Sequence, residues 1–383
     1  MRLLLLGDVM TGRGIDQILP TPSRPGLHEP WVCSAVEYVE RAQEANGPIP
    51  RGVDPGYVWG EALDVLERES PDVGIGNLET AVTTTESPAD KGIHYRMHPE
   101  NVGVVATAPI HCWSLANNHV LDWGREGLLE TLDTLEGAGL GHVGAGRDRE
   151  QARSPGIVEV GVGAGPDPGG VREAGIVPAG RKGGRVLVFA FAGPDCGVPP
   201  EWAAAADRPG VSFLPAYSSK GVEEIAGQVA AVKRQGDLVV ASAHWGGNWG
   251  YGVPRAHRRF ARALIDEASV DVVHGHSSHH PKGVEIHRGR PILYGCGDFL
   301  NDYEGIRGHE EYRGDLVAAW LADFELPGAP LQELRMIPFR IRNFRLTHPS
   351  RAEREWLRVR MDRECRRFGH RVGERDEGFV LTW

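Results

Sequence analysis

Residues Asp271-Val-Val-His274-Gly-His276-Ser-Ser-His279-His280-Pro-Lys-Gly-Val-Glu285 place four histidines within seven positions, directly after a short β-branched run. Val270 to Val273 predicts a buried strand broken at Gly275, and in an α/β protein the carboxyl end of a strand faces the crevice where ligands bind. Neutral imidazole is the commonest metal ligand. A surface histidine-rich loop without metal is the competing reading for such a cluster taken alone. The cluster is not alone. Asp8, Asn77-Leu78-Glu79, Asn117-Asn118-His119 and His244 each follow an apolar run in the same way, so five strand ends carry metal-type side chains.

Outward from the histidines, apolar runs alternate with helical patterns. Arg2 to Leu6 predicts a first strand that delivers Asp8 into a glycine-permitted turn with Gly12-Arg13-Gly14. Asp8 reads as a metal ligand or as a turn or helix-cap aspartate. Tyr57 to Arg68 has helical spacing and leads into Val73 to Ile75, a strand ending at Asn77-Leu78-Glu79. Ile110 to Leu115 is a third strand, followed by Asn117-Asn118-His119 and a helix that opens at Asp122. Val186 to Phe191 and Leu238 to Ser242 predict two more, the latter ending at His244-Trp245-Gly-Gly-Asn-Trp249. Gly156 to Gly184 between them reads as Gly/Pro-rich hairpins and loops. Repeated strand and helix predict a parallel sheet with right-handed crossovers.

Past the histidines, Gly283 to Ile286 and Pro291 to Tyr294 suggest a hairpin, and Leu316 to Leu321 and Leu334 to Phe339 further antiparallel strands. Arg351 to Phe368 is a charged helix that docks on the domain or mediates association into a homo-oligomer. The expected organisation is one α/β domain over 1–345 with a Pro/Gly-rich insertion at 20–55, then a helical extension over 346–383. Gly139-Leu-Gly141-His-Val-Gly144 fits a dinucleotide fingerprint by letter, but a helix precedes it and no such site is assigned.

A chain of 383 residues suffices for one large α/β domain or two ordinary ones. Its formal net charge of -10 leaves no basic face in the sequence, which argues against a nucleic-acid partner. The opening apolar run is too short for a signal peptide or a membrane span and no later stretch reaches spanning length, so a cytoplasmic location is expected. Cys33, Cys112, Cys196, Cys296 and Cys365 are scattered without C-x-x-C spacing, which indicates neither a disulfide framework nor a thiolate zinc site.

Aspartate, glutamate, asparagine and neutral histidine together suit Mn, Fe or Zn better than the all-oxygen shells of Mg or Ca. Six or more such side chains point to two divalent transition-metal ions, and an ion pair can bind a phosphoryl group and stabilise the leaving oxygen in one in-line displacement. Arg96 either holds an anionic substrate group through its planar fork or is a surface arginine. Arg13, in its glycine-flanked turn, is a second substrate candidate. Trp245 and Trp249 stand among glycines after His244, as a substrate wall or as a packed aromatic loop.

Gly7-Asp-Val-Met-Thr-Gly-Arg13, Gly76-Asn-Leu-Glu-Thr80, Leu115-Ala-Asn-Asn-His-Val-Leu-Asp-Trp-Gly124, Ala243-His-Trp-Gly246, Gly275-His-x-x-His279 and Tyr294-Gly-Cys-Gly-Asp-Phe299 carry a resemblance. Together they resemble the CapA family of poly-γ-glutamate capsule synthesis proteins, itself similar to calcineurin-like metallophosphoesterases. The likeness runs in register to about Asp302. It implies a four-layer α/β/β/α metallophosphoesterase-like sandwich with a two-metal site between the sheets. It also implies Asp8 and Glu79 as metal ligands, with Glu79 or Asn77 at the bridging place. Asn118, His244, His276 and His279 would complete the shell, and His119, beside Asn117, would be the general acid.

The chain departs from that pattern in places. Met10 stands where the superfamily usually has a histidine two residues after the first aspartate, Ser277-Ser278 replace His-Pro, and Asp298 replaces an asparagine as an extra ligand or a turn residue. Capsule members commonly carry a membrane anchor, and none is read here. The expected function is a metal-dependent hydrolase, most directly a phosphoesterase acting on a small-molecule phosphoester. The alternatives are a metal-dependent enzyme for γ-glutamyl amide bonds and a non-catalytic assembly subunit for such a polymer.

Overall fold

The computed structural model describes residues 1–161, 184–325 and 330–383, and among them it is a mixed α/β fold with eight α-helices and two large sheets. Leu3, Leu4, Leu5 and Leu6 are all fully buried, so strand Arg2–Val9 is covered on both faces, as a central parallel strand requires. It runs parallel to Val73–Leu78, which continues through Cys112–Ser114 to Gly141–Val143. On its other side it runs antiparallel to Leu316–Phe324, and Leu331–Arg342, Gly378–Thr382 and Arg371–Arg375 extend that side of a ten-stranded sheet. The second sheet has six strands in the order Val284–His287, Arg290–Leu293, Val272–His276, Leu238–His244, Gly184–Ala192 and Gly156–Val160. Its four central strands are parallel.

Alternation along Gly184–Ala192 shows how the sheets share one interior. Val186, Val188, Ala190 and Ala192 join the core that contains Leu3 and Leu5 of the first sheet. Leu187, Phe189 and Phe191 point the other way, onto Val222, Ile225 and Val229 of helix Ser219–Val232 and Phe260 and Leu264 of helix Arg255–Glu267. Side chains of this size contribute roughly 1.5–3 kcal/mol each when fully buried, so both faces of the strand are held. Helices Ala62–Glu69 and Gly124–Gly137 bury Ala62, Val65, Leu66, Leu128, Leu132 and Leu135 in the first sheet's core, at the three- and four-residue spacing of one helical face.

The strands expected from the apolar runs are present, and those that bear site residues run further than expected. Arg2–Val9 includes Asp8, and Val272–His276 passes through Gly275 to include His276. Gly275 therefore does not break its strand. It is needed for close approach, since a Cβ there would lie 2.5 Å from the Leu293 carbonyl oxygen and 2.6 Å from the Trp245 indole nitrogen. Gly7 likewise admits the Gly297 carbonyl, 1.7 Å from where a Cβ would stand, and this lets Asp298–Leu300 lie beside the first strand. Of the Gly156 to Gly184 stretch, Gly156–Val160 is a strand, and 162–183 lie outside the described residues.

The carboxyl-terminal part is more than a helix. Arg351–Cys365, opened by a Ser350/Glu353 capping box, buries Leu357, Met361 and Cys365, and the hairpin after it adds two strands to the first sheet. The 20–55 stretch is fastened too, with helix Val36–Asn46 and Val39, Ala42, Ile49 and Val53 in the main core. Cys33 is exposed and the other four cysteines are buried and free.

Candidate metal centre

Strand register assembles the site. Asp8 lies abreast of Asn77 on one neighbouring strand and of Asp298 on the other, and His244 lies abreast of His276 in the opposite sheet. Register partners sit about 5 Å apart. Two groups of buried ligand atoms result, Asp8 with His244 and His276, and Asp8 with His279 and Asp298, each within 4.8 Å. Asp8 is the side chain common to both. Met10, buried and 3.6 Å from the Tyr303 hydroxyl through its sulfur, contributes nothing to either group, and Asp298 stands in the second.

The hydrogen bonds hold these side chains in place. Asp8 accepts from Asn77 at 2.7 Å and from the Ser277 backbone N–H at 3.0 Å. His279 Nδ1 is 2.9 Å from Asp298, whose other oxygen accepts from Asn301 at 2.8 Å. His244 Nδ1 faces His276 Nδ1 at 2.9 Å, and its Nε2 is 3.0 Å from the Asn118 side-chain oxygen. Glu79 lies 3.9 Å from both His119 Nε2 and His244 Nε2 and accepts from Asn77.

Burial and neighbouring charges set the protonation of the cluster. Burial, then the charge of Asp298, raises Asp8 to about 7, and burial with the adjacent Asp8 holds Glu79 well above the usual carboxylate range. Burial and the neighbouring imidazoles hold His244 and His276 well below the usual histidine range, in the neutral form that ligates. For His279 burial works against the charged form, but the Asp298 carboxylate together with Asp8 favours it and the pKa rises. Carboxylates that repel one another beside neutral imidazoles fit a bound cation, whose charge favours the ionised acids.

His119 belongs to a different constellation. Its Nδ1 is 2.7 Å from Asp122, whose other oxygen takes the Lys91 ammonium at 2.6 Å. Burial, opposed by Asp122 and reinforced by Lys91, lowers His119 to about 4. Asp122 and Lys91 were not among the expected site residues. The i, i+3 spacing of His119 and Asp122 was available as a signal for the first, whereas Lys91 lies 31 positions from Asp122 with no local sign of its role.

Residues 2–163 and 161–303 match the model of the bacterial capsule synthesis protein PGA_cap family. This chain belongs to that family. A Mycobacterium tuberculosis relative named "probable polyglutamine synthesis accessory protein" is 45% identical over 380 residues, 99% of this chain and 94% of the relative. The "PGA biosynthesis protein CapA" of Bacillus subtilis is 27% identical over 299 residues, 78% of this chain and 62% of that protein. The "capsule biosynthesis protein CapA" of Bacillus anthracis is 27% identical over 231 residues, 59% of this chain and 50% of that protein.

Four other expected site residues of this PGA_cap protein have partners within the fold. Arg13 is buried and committed to Asp302, Glu29 and Tyr38, with its guanidinium over the Tyr38 ring at 3.7 Å. Arg96 is buried over Trp123 and bonds the Thr85 and Arg24 carbonyls, so it fastens loops where a substrate grip was expected. Trp245 is 1% exposed, stacks on His257 and donates to the Tyr294 carbonyl, which makes it core. Asn117 donates to Asn77 and the Leu78 carbonyl and accepts from the His119 and Val120 backbone, so it shapes the turn that presents Asn118 and His119. Trp249, by contrast, lines a cavity beside His279 and stacks on His309 at 4.1 Å. No helix among the described residues is long and apolar enough to cross a membrane.

Proposed function

We propose that this chain is a metal-dependent hydrolase, a phosphoesterase with two divalent transition-metal ions, Mn, Fe or Zn, in the crevice of a four-layer α/β/β/α metallophosphoesterase-like sandwich. The observation that carries this reading is the place of Asp8 in both ligand groups. Asp8, His244 and His276, with Asn118 and Glu79 alongside, would hold one ion, and Asp8, His279 and Asp298 the other. A bound pair supplies positive charge that meets a phosphoryl group and the charge developing on its displacement. His119 gives a proton to the leaving oxygen from Nε2. Asp122 fixes its ring through Nδ1, and Lys91 holds Asp122 in turn. An anionic substrate raises the pKa of His119 toward the working range. Asn77 aligns Asp8 and Glu79 through one amide.

Elemental analysis of metal-loaded protein together with phosphate release from aryl phosphomonoesters and diesters tests the proposal. About two ions per chain and chelator-sensitive release support it, and a chain that takes up no metal refutes it. A second reading is a non-catalytic part in making a polymer, which the relatives' names, a polyglutamine synthesis accessory protein and a PGA biosynthesis protein, support, or action on the γ-glutamyl amide bonds of such a polymer. Cleavage of γ-glutamyl anilides without phosphoester turnover would select the amide reading. Bound metal with neither activity would select the assembly role.

A further inference from the structure

We infer that the cavity beside the metal centre takes a phosphoester bearing a large apolar group, an inference that rests on the phosphoesterase reading and names its substrate class. The cavity has a volume of about 770 Å³ and is lined in part by His279 and Tyr303. That is within the range of roughly 300–1,000 Å³ for sites that enclose a whole drug-sized ligand, far more than a phosphoryl group needs.

Its walls leave apolar side chains in water. Trp31, Ile93 and Ile306 line it and are 86%, 45% and 41% exposed. Only Val359 and Trp383 are comparably exposed large hydrophobics among the described residues, so three of the five gather at one cavity. Single exposed apolar residues are ordinary, whereas a contiguous group at the rim of a cleft marks a binding surface. The three come from separate segments, the 20–55 insertion, the stretch before Tyr95 and the loop after Tyr303, so no single hydrophobic run explains their meeting. Trp249, held by its stack on His309 and 5.2 Å from the His279 ring, adds an aromatic side chain to the lining.

Charge in the cavity is matched. Arg13 is paired with Asp302 and Glu29, Arg313 with Asp315 and Glu353, and Arg340 with Glu353. Arg307 lines the cavity together with Glu310 and Glu304. There is thus no surplus of cations to draw a polyanion along the walls. The phosphoryl charge is met at the metal centre, and the remainder of the ligand is recognised by apolar and aromatic surface.

The test is titration calorimetry of metal-loaded protein with methylphosphonate and with naphthylmethylphosphonate, neither of which can be hydrolysed. The larger compound should bind at least about tenfold more tightly. Trp31→Ala and Ile306→Ser should each close much of that gap while leaving methylphosphonate affinity and metal content unchanged. Equal affinities with two ions bound would overturn the cavity inference and leave the phosphoesterase reading standing. Failure of both phosphonates to bind metal-loaded protein would instead remove that reading and this inference with it. Displacement of the naphthyl compound by a pentaglutamate peptide, undiminished by either substitution, would assign the cavity to a polyanion and also overturn the inference.

Discussion

Of the four histidines between Asp271 and Glu285, two face the crevice and two hold it together. His276 lies 3.6 Å from Asp8, and His279 joins Asp8 through the group it shares with Asp298. His274 is two residues from His276 on the same strand, yet its Nε2 bonds the Leu6 carbonyl at 2.8 Å and ties the second sheet to the first. His280, next to His279, accepts the Gly250 N–H at 3.0 Å and stacks on Tyr312. Side-chain type and position in sequence are nearly the same in each pair. What differs is the partner, a carboxylate of the opposite sheet for one, and for the other the Leu6 carbonyl of that sheet or the Tyr312 ring.

The largest test of that contrast is metal content. Asp8→Ala should lose both ions, and His276→Ala and His279→Ala at least one each, whereas His280→Gln should keep two by elemental analysis. Retention of both ions in the His276 and His279 variants would erase the distinction.

A second contrast separates ligands from the proton donor. His119→Asn should keep both ions and the fold while kcat falls on the order of 10²–10⁴ on an ester with a poor leaving group. The loss should be much smaller on an ester with a good leaving group, which needs no proton. Equal losses on the two esters, or a lost ion, would move His119 into the metal shell.

The fastening histidines should make the fold acid-labile. Burial holds His274 at about 4 and His280 at about 3, below the ordinary 6.5. The unfolded chain then binds more protons than the folded one below pH 6.5, so stability present above that value is lost progressively as pH falls toward 4 and 3. Melting temperature of His280→Gln followed over that window should show a shallower decline than the parent, and an identical slope would argue that His280 does not contribute. Ser277→Ala should do least of all. Asp8 is held by the Ser277 backbone N–H, which alanine keeps, so only the hydroxyl bond to the Gly246 carbonyl at 3.1 Å is lost. Metal stoichiometry should be unchanged and the melting temperature slightly lowered.

Much of this molecule could be read directly from the chain. Four buried leucines before Asp8, the β-branched run before His274 and the apolar stretch before His244 mark strands because both of their faces need covering, and a strand end is where a parallel sheet leaves side chains free. The candidate ligands Asp8, His244, His276 and His279 were therefore legible as residue types at strand ends. Their division into groups was not. Asp8 is common to both because parallel pairing sets it beside Asn77 and Asp298 at once, and because the opposite sheet brings His244 and His276 to it across the interior. Arg13, Arg96 and Trp245 have the chemistry of substrate-binding residues, but partners remote in sequence engage it: Asp302 for Arg13, Arg24 for Arg96 and Tyr294 for Trp245. Local pattern determines which segments become strands and helices, since periodicity and turn chemistry act over a few residues. Which buried polar group meets which partner depends on sheet register and layer packing, and those join residues hundreds of positions apart.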